Sequence, residues 1–186
     1  MQGDFVTDMN EIRRRAREHV EAGPVTSAYK ADKDKVVKLL NDVLATELVC
    51  VLRYRQHYHV ASSMFAETVA AEFKQHADEE QQHAEMVAER IEQLGGIPDY
   101  NPQGLLTRSA SEYKAGKDSL IDMIREDLVA ERIAVETYTE MIRFIGEKDP
   151  TTRRVLEAIL AQEEEHADDL ASMLTHIDNI TKGRGS

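Results

Sequence analysis

The sequence predicts an all-α fold: a four-helix bundle with one long crossover connection, preceded by a short helical leader. Three observations predict it. Apolar residues recur at steps of three and four along four long segments. The connections between these segments run short, long, short. The second half of the chain also repeats the first. Glu80-Gln81-Gln82-His83 returns as Glu163-Glu164-Glu165-His166, and the next five residues, Ala84 to Ala88 and Ala167 to Ala171, match in kind at four of five places. Upstream, Glu47, Val51 and Tyr54 return as Glu131, Val135 and Tyr138 at the same i, i+4, i+7 spacing.

Composition agrees with one helical domain. A chain of 186 residues that is 41% hydrophobic can bury a core, and 5% aromatic content with only four prolines favours helices over sheet. The single Cys50 excludes an intramolecular disulfide, no run approaches a membrane span, and the polar start Met1-Gln2-Gly3-Asp4 does not read as a signal peptide. A cytoplasmic protein without a membrane partner is expected. A net charge of −12 argues against DNA as a partner, since phosphate binding needs a basic surface. It suits a protein that attracts cations, although acidity is common among soluble helical proteins.

Residues 1–30 form a polar leader in which Met9 to Ala22 fits a short helix stopped by Gly23-Pro24. Its Arg13, Arg14, Arg15 and Arg17 are offset by Asp4, Asp8, Glu11, Glu18 and Glu21, which favours a solvated or subunit-contacting helix over a DNA-binding one. The first long helix spans Asp34 to Val60, with Val37, Leu40, Leu44, Glu47, Val51, Tyr54 and Tyr58 on one stripe. Glu47 therefore occupies a core position, where an ionised carboxylate is costly unless a partner compensates it.

A turn at Ala61-Ser62-Ser63 leads into the second helix, Met64 to Leu94, whose stripe is Val69, Phe73, His76, Glu80, His83, Val87, Ile91 and Leu94. Gly95-Gly96-Ile97-Pro98 ends it. The segment from Gly95 to Asp118 could extend about 75 Å, twice the length of a 25-residue helix, so it can cross the whole bundle. Within it, Gln103 to Tyr113 fits a short helix. The third helix, Ser119 to Ile145, copies the first through Ile121, Ile124, Leu128, Glu131, Val135, Tyr138 and Ile142. Asp149 as N-cap and Pro150 as first residue open the fourth, whose stripe Val155, Ile159, Glu163, His166, Leu170, Leu174 and Ile177 continues to about Ile180. The bundle is thus assigned to 31–180, and 181–186 to a glycine-rich flexible tail.

Glu47, Glu80, His83, Glu131, Glu163 and His166 converge at mid-length of the four helices. A Glu and a His at i and i+3 share a helix face and can point at one ion. Four packed carboxylates repel and would shift their pKa values upward unless cations neutralised them, and two divalent ions supply that neutralisation. Oxygen and imidazole donors suit iron or manganese, with zinc able to compete. Tyr54 and Tyr138 are placed to hydrogen-bond ligand carboxylates. The position of His76 in the second half is taken by Ile159, so His76 reads as a packed or inner-surface residue, and Cys50 as a small core residue.

The Glu47-Leu48-Val49 run followed by Tyr54, the paired Glu-x-x-His motifs and the crossover resemble the ferritin-like superfamily, in particular bacterioferritins and the Dps-like mini-ferritins. The resemblance covers residues 31 to 180. It implies a dinuclear ferroxidase centre of two iron ions per subunit, bridged by Glu80 and Glu163, with Glu47, Glu131, His83 and His166 as terminal ligands. It also implies iron storage and detoxification in a homo-oligomeric shell, with Fe(II) and O2 or H2O2 as substrates. Bacterioferritins bind haem through a Met directly after the second-helix glutamate; here that place is Gln81, so haem is not expected. The thiol pair of some mini-ferritins is reduced to Cys50. Because the segment after the fourth helix is short, a 12-subunit shell of about 250 kDa is expected, not a 24-subunit one of about 500 kDa. Two alternative functions remain: a rubrerythrin- or manganese-catalase-like peroxidase, without the four-cysteine domain that rubrerythrins usually add, and, from a different class, Dps-type DNA protection, which the acidity disfavours.

Overall fold

Polar caps supplied by the sequence start three of the four long helices. In the computed structural model, which describes residues 8–64, 66–114 and 119–183, the elements in order are α1 (Met9–Arg15), α2 (Lys33–Ser63), α3 (Glu67–Gln93), α4 (Leu105–Arg108), α5 (Leu120–Ile145) and α6 (Pro150–Gly183). Asp32 caps α2 by accepting from the Lys35 amide at 3.3 Å, and the Ser119 hydroxyl caps α5 by accepting from the Asp122 amide at 3.1 Å. Asp149 accepts from the Thr152 amide at 2.9 Å ahead of Pro150 at the start of α6. The part of the expected tail at 184–186, the first seven residues of the leader and the last residues of the crossover lie outside the described residues.

Helix α2 packs along α3 and α5 along α6, and contacts of α2 with α5 and of α3 with α6 close the four-helix bundle. A Schellman motif ends α3. Gly95, at φ +74°, donates to Glu92 O at 2.8 Å, and Gly96 donates to Ile91 O at 2.9 Å. A Cβ on Gly96 would lie 2.6 Å from Val37 Cγ1, so only glycine lets the chain leave the helix against α2. The crossover then runs down α2, tied at three points. Asp99 N donates to Asn41 Oδ1 at 2.7 Å, Ala110 N to Thr46 Oγ1 at 3.0 Å, and Arg53 Nη1 to Glu112 O at 3.2 Å. From Asn41 to Arg53 the helix rises about 18 Å, so the connection traverses much of the bundle.

The structure departs from expectation in local detail. Helix α2 continues through Ser63, because the Ser62 and Ser63 hydroxyls donate back to Tyr58 O and Val60 O at 2.8 and 2.7 Å and do not break the helix. The turn falls three residues later than Ala61-Ser62-Ser63. The leader helix stops at Arg15, with a separate 3-10 turn at Val20–Ala22; none of its residues is buried, so no packing sustains a longer helix. Among its described residues the crossover carries only a 3-10 turn at Pro102–Gly104 and the single turn α4. Helix α6 extends to Gly183, past the expected end at Ile180. On α5 the buried face is turned toward Met123, Asp127, Ala130 and Ala134, leaving Leu128, Val135 and Ile142 half-buried, since small alanines allow close approach and Asp127 meets a partner.

That partner is Arg53. The guanidinium Nε donates to Asp127 Oδ1 at 2.8 Å, and His57 Nδ1 lies 2.7 Å from Asp127 Oδ2, all three residues being fully buried. Asp127→Ala leaves a buried arginine without its counter-ion and is expected to lower stability by about 3–5 kcal/mol, read as a lower urea midpoint at pH 7. A loss below 1 kcal/mol would show that the pair contributes no more than an exposed one. A second network joins Arg90 of α3 to Asp149 at 2.9 Å, with Tyr29 Oη donating to Asp149 Oδ2 at 2.9 Å.

Two apolar clusters fill the bundle. One gathers Leu40, Leu44, Val87, Ile91, Tyr138 and Ile159; the other Tyr54, Phe73, Ala77, Met123, Ile124 and Leu170. The polar layer lies between them.

Candidate metal centre

All six predicted residues meet in that layer, and each is at most 2% exposed. Helix α2 brings Glu47, α3 brings Glu80 and His83, α5 brings Glu131, and α6 brings Glu163 and His166. The groups fall into two sets of four, Glu47, Glu80, His83 and Glu163 on one side and Glu80, Glu131, Glu163 and His166 on the other. Only Glu80 and Glu163 belong to both. Around His83 Nδ1 stand Glu163 Oε1 at 3.1 Å, Glu47 Oε2 at 3.4 Å and Glu80 Oε2 at 3.4 Å. Around His166 Nδ1 stand Glu80 Oε1 at 3.6 Å, Glu163 Oε2 at 3.8 Å and Glu131 Oε2 at 3.9 Å. Each shared glutamate thus turns one oxygen to each side.

None of these contacts has the geometry of a hydrogen bond. Glu47 Oε2, both oxygens of Glu80 and of Glu163, and Nδ1 of both histidines are buried with no hydrogen-bond partner among the described residues. Such orphaned polar atoms are costly without a compensating group. Metal bonds of about 2.0–2.2 Å put neighbouring ligand atoms about 3–3.5 Å apart, close to the separations found here. The residues therefore fit two cations sharing two carboxylates.

The far nitrogen of each ring is held. His83 Nε2 donates to Gln162 Oε1 at 2.9 Å, and His166 Nε2 to Glu79 Oε2 at 2.9 Å, which leaves the Nδ1 lone pairs facing inward when the rings are neutral. The free carboxylate oxygens are held crosswise. Tyr138 Oη donates to Glu47 Oε1 at 2.5 Å, and Tyr54 Oη donates to Glu131 Oε1. Burial raises both phenols far above their ordinary pKa, with Glu131 acting next on Tyr54 and Glu47 next on Tyr138, so both stay protonated donors.

Protons partly neutralise the cluster, and not in the uniform upward pattern expected. Burial and the Glu80 charge push Glu47 up to about 8, and burial with the Glu80 and Glu163 charges raises Glu131 well above the carboxylate range. Glu80 and Glu163 go down instead. Burial and carboxylate repulsion would raise them, but each sits between both imidazoles, and that attraction wins. Against the cost of burial, the carboxylates raise His166 to about 10 and His83 further.

The ferritin-like domain family matches residues 37–180. The chain belongs to the ferritin family. Bacterioferritin from Desulfovibrio desulfuricans is 32% identical over 151 residues, covering 80% of this chain and 79% of that protein. Bacterioferritin from Mycobacterium tuberculosis is 32% identical over 146 residues, 78% of this chain and 87% of that one. Among solved structures, the dodecameric thioferritin of Bacteroides fragilis, a bacterioferritin-related protein, superposes with TM-score 0.78 at 30% identity over 83% of this chain and 92% of that chain. The D. desulfuricans bacterioferritin, solved with its diiron site in different catalytic states, gives TM-score 0.71 at 29% identity, covering 79% and 82%.

Within this ferritin-family site, sequence reasoning missed Glu79 and Gln162. The repeat held the signal, since each directly precedes a shared glutamate and reaches the histidine of the opposite half. It also missed the Arg53–Asp127–His57 network, which no repeat marks. Tyr54→Phe and Tyr138→Phe are each expected to weaken divalent-metal binding by roughly 10–100-fold, because each leaves a buried carboxylate oxygen of the centre without its donor. Calorimetry with Zn(II) checks this, and affinity unchanged within twofold would show that the phenols only pack.

Proposed function

We propose that the protein oxidises Fe(II) at this centre and stores the product, with Glu80 and Glu163 bridging two iron ions and Glu47, His83, Glu131 and His166 as terminal ligands. The observation that carries the reading is the placement of one oxygen of each shared glutamate toward each histidine. Two Fe(II) ions give up one electron each. The pair converts O2 and two protons to H2O2, or H2O2 and two protons to two waters. The protein's part is to hold the two ions together, neutralise their charge and exclude other ligands.

Manganese or zinc can occupy the same donors. The reading includes no haem, because Gln81 stands where that ligand would and its amide donates to Glu85 at 3.0 Å. A closed shell of twelve copies is supported by likeness to the dodecameric thioferritin and by exposed Leu52, Val129 and Phe144 on outer helix faces. Aerobic addition of excess Fe(II) is expected to leave iron eluting with a particle of about 250 kDa by light scattering. Consumption of H2O2 with no iron retained, or a monomer or dimer mass, would instead favour the peroxidase reading.

A further inference from the structure

Beside the centre, three polar residues stand where the other half of the chain has none. Glu72 and His76 lie one turn apart on α3, and Asp169 comes from α6. At the repeat-related positions, eight and four residues before Glu163 and three after His83, stand Val155, Ile159 and Met86, all in or against the apolar core. Packing this bundle therefore does not require a polar trio.

The proton positions at His76 follow from its neighbours. The single hydroxyl proton of Tyr54 goes to Glu131, so the 3.2 Å contact between Tyr54 Oη and His76 Nδ1 requires the ring to donate from Nδ1. In a neutral ring Nε2 then carries the lone pair. That nitrogen is buried in a residue 0% exposed, has no hydrogen-bond partner among the described residues, and faces Glu72 Oε1 at 3.4 Å. Two acceptors opposed at that distance repel unless a proton or a metal cation joins them. One donor atom from each of Glu72, His76 and Asp169 lies within 4.8 Å of the others.

We propose that Glu72, His76 Nε2 and Asp169 form a third cation site, one imidazole plus two carboxylates, which takes a divalent transition-metal ion. Glu72 and Asp169 are half-buried, so the site is reachable from solvent. The His76 ring stacks on His166 with centroids 4.1 Å apart, which puts the site one ring away from the dinuclear pair. The site itself stands on its own residues; naming its natural ion as ferrous iron on the way to the centre rests on the ferroxidase reading.

The test uses Zn(II) on the full-length assembled protein, counted by equilibrium dialysis and located by anomalous scattering at the zinc edge. Three ions per chain are expected, one of them between Glu72, His76 and Asp169. Glu72→Gln with Asp169→Asn is expected to lose that ion and keep the other two. Two ions per chain in the unaltered protein, with none at His76, would overturn the site. An ion there that survives the double substitution would overturn the ligand assignment. Zinc bound at His76 but absent from the six central residues would uphold this inference and sink the dinuclear reading.

Discussion

Replacing Glu80 or Glu163 by alanine is expected to abolish rapid Fe(II) oxidation while leaving the helical fold in place. Each of these carboxylates faces both histidines, so under the proposed ligand set its loss strips a ligand from both ions at once, where loss of a terminal ligand would affect one. Substituting groups that only orient metal ligands costs about 10–100-fold, so removing a shared ligand is expected to exceed ~100-fold. The helices should still form, since the apolar clusters on either side of the layer are untouched, although the metal-free bundle loses the attraction between that carboxylate and both imidazoles. Stopped-flow oxidation, with circular dichroism as the control for folding, gives the answer. Either variant oxidising Fe(II) at the unaltered rate would show that the shared placement has no part in the chemistry.

The second large effect is in protons. At neutral pH the metal-free cluster holds protons on Glu47, Glu131, His83 and His166, while Glu80 and Glu163 are ionised, so its net charge is near zero. Two divalent ions displacing those protons keep it near zero, so binding should release about four protons per chain at pH 7. The four raised groups give the metal-free fold more bound protons than the unfolded chain above the ordinary carboxylate range. Their stabilisation is full below the unfolded pKa values. For Glu47 it is lost as pH rises through about 8, and for His166 through about 10, at about 1.4 kcal/mol per pH unit for each proton. Glu80 and Glu163, being lowered, act oppositely, and their contribution is lost only on acidification below about 4.5. The Tm of metal-free protein should therefore fall from pH 6 to pH 9, while metal affinity rises over the same range. A flat metal-free profile, with no protons released in a pH-stat titration, would contradict this charge balance.

The helices and the six converging residues were legible because both follow from periodicity. A carboxylate on an apolar stripe is improbable by itself, and two-fold repetition of the whole set left little room for accident. Helix ends were less legible. Serines 62 and 63 read as a turn, yet their hydroxyls bond back to the preceding turn and prolong α2. The face of α5 is only partly legible, because an apolar stripe passes over Asp127, which Arg53 draws fully into the core. Long-range polar pairing of this kind leaves no local pattern. The pKa expectation failed for a related reason: four carboxylates were weighed against each other, without the imidazoles that divide them into two raised and two lowered.

The central claim is that two iron ions react together at one site in each chain. Anaerobic loading with increasing Fe(II), followed by mixing with O2 or H2O2 and monitoring the Fe(III) formed, tests it most directly. The fast phase should grow until two Fe(II) per chain have been added and then stop growing, whatever number of ions the chain binds in total. A fast phase that saturates at one Fe(II) per chain, or the absence of any fast phase, would contradict the account.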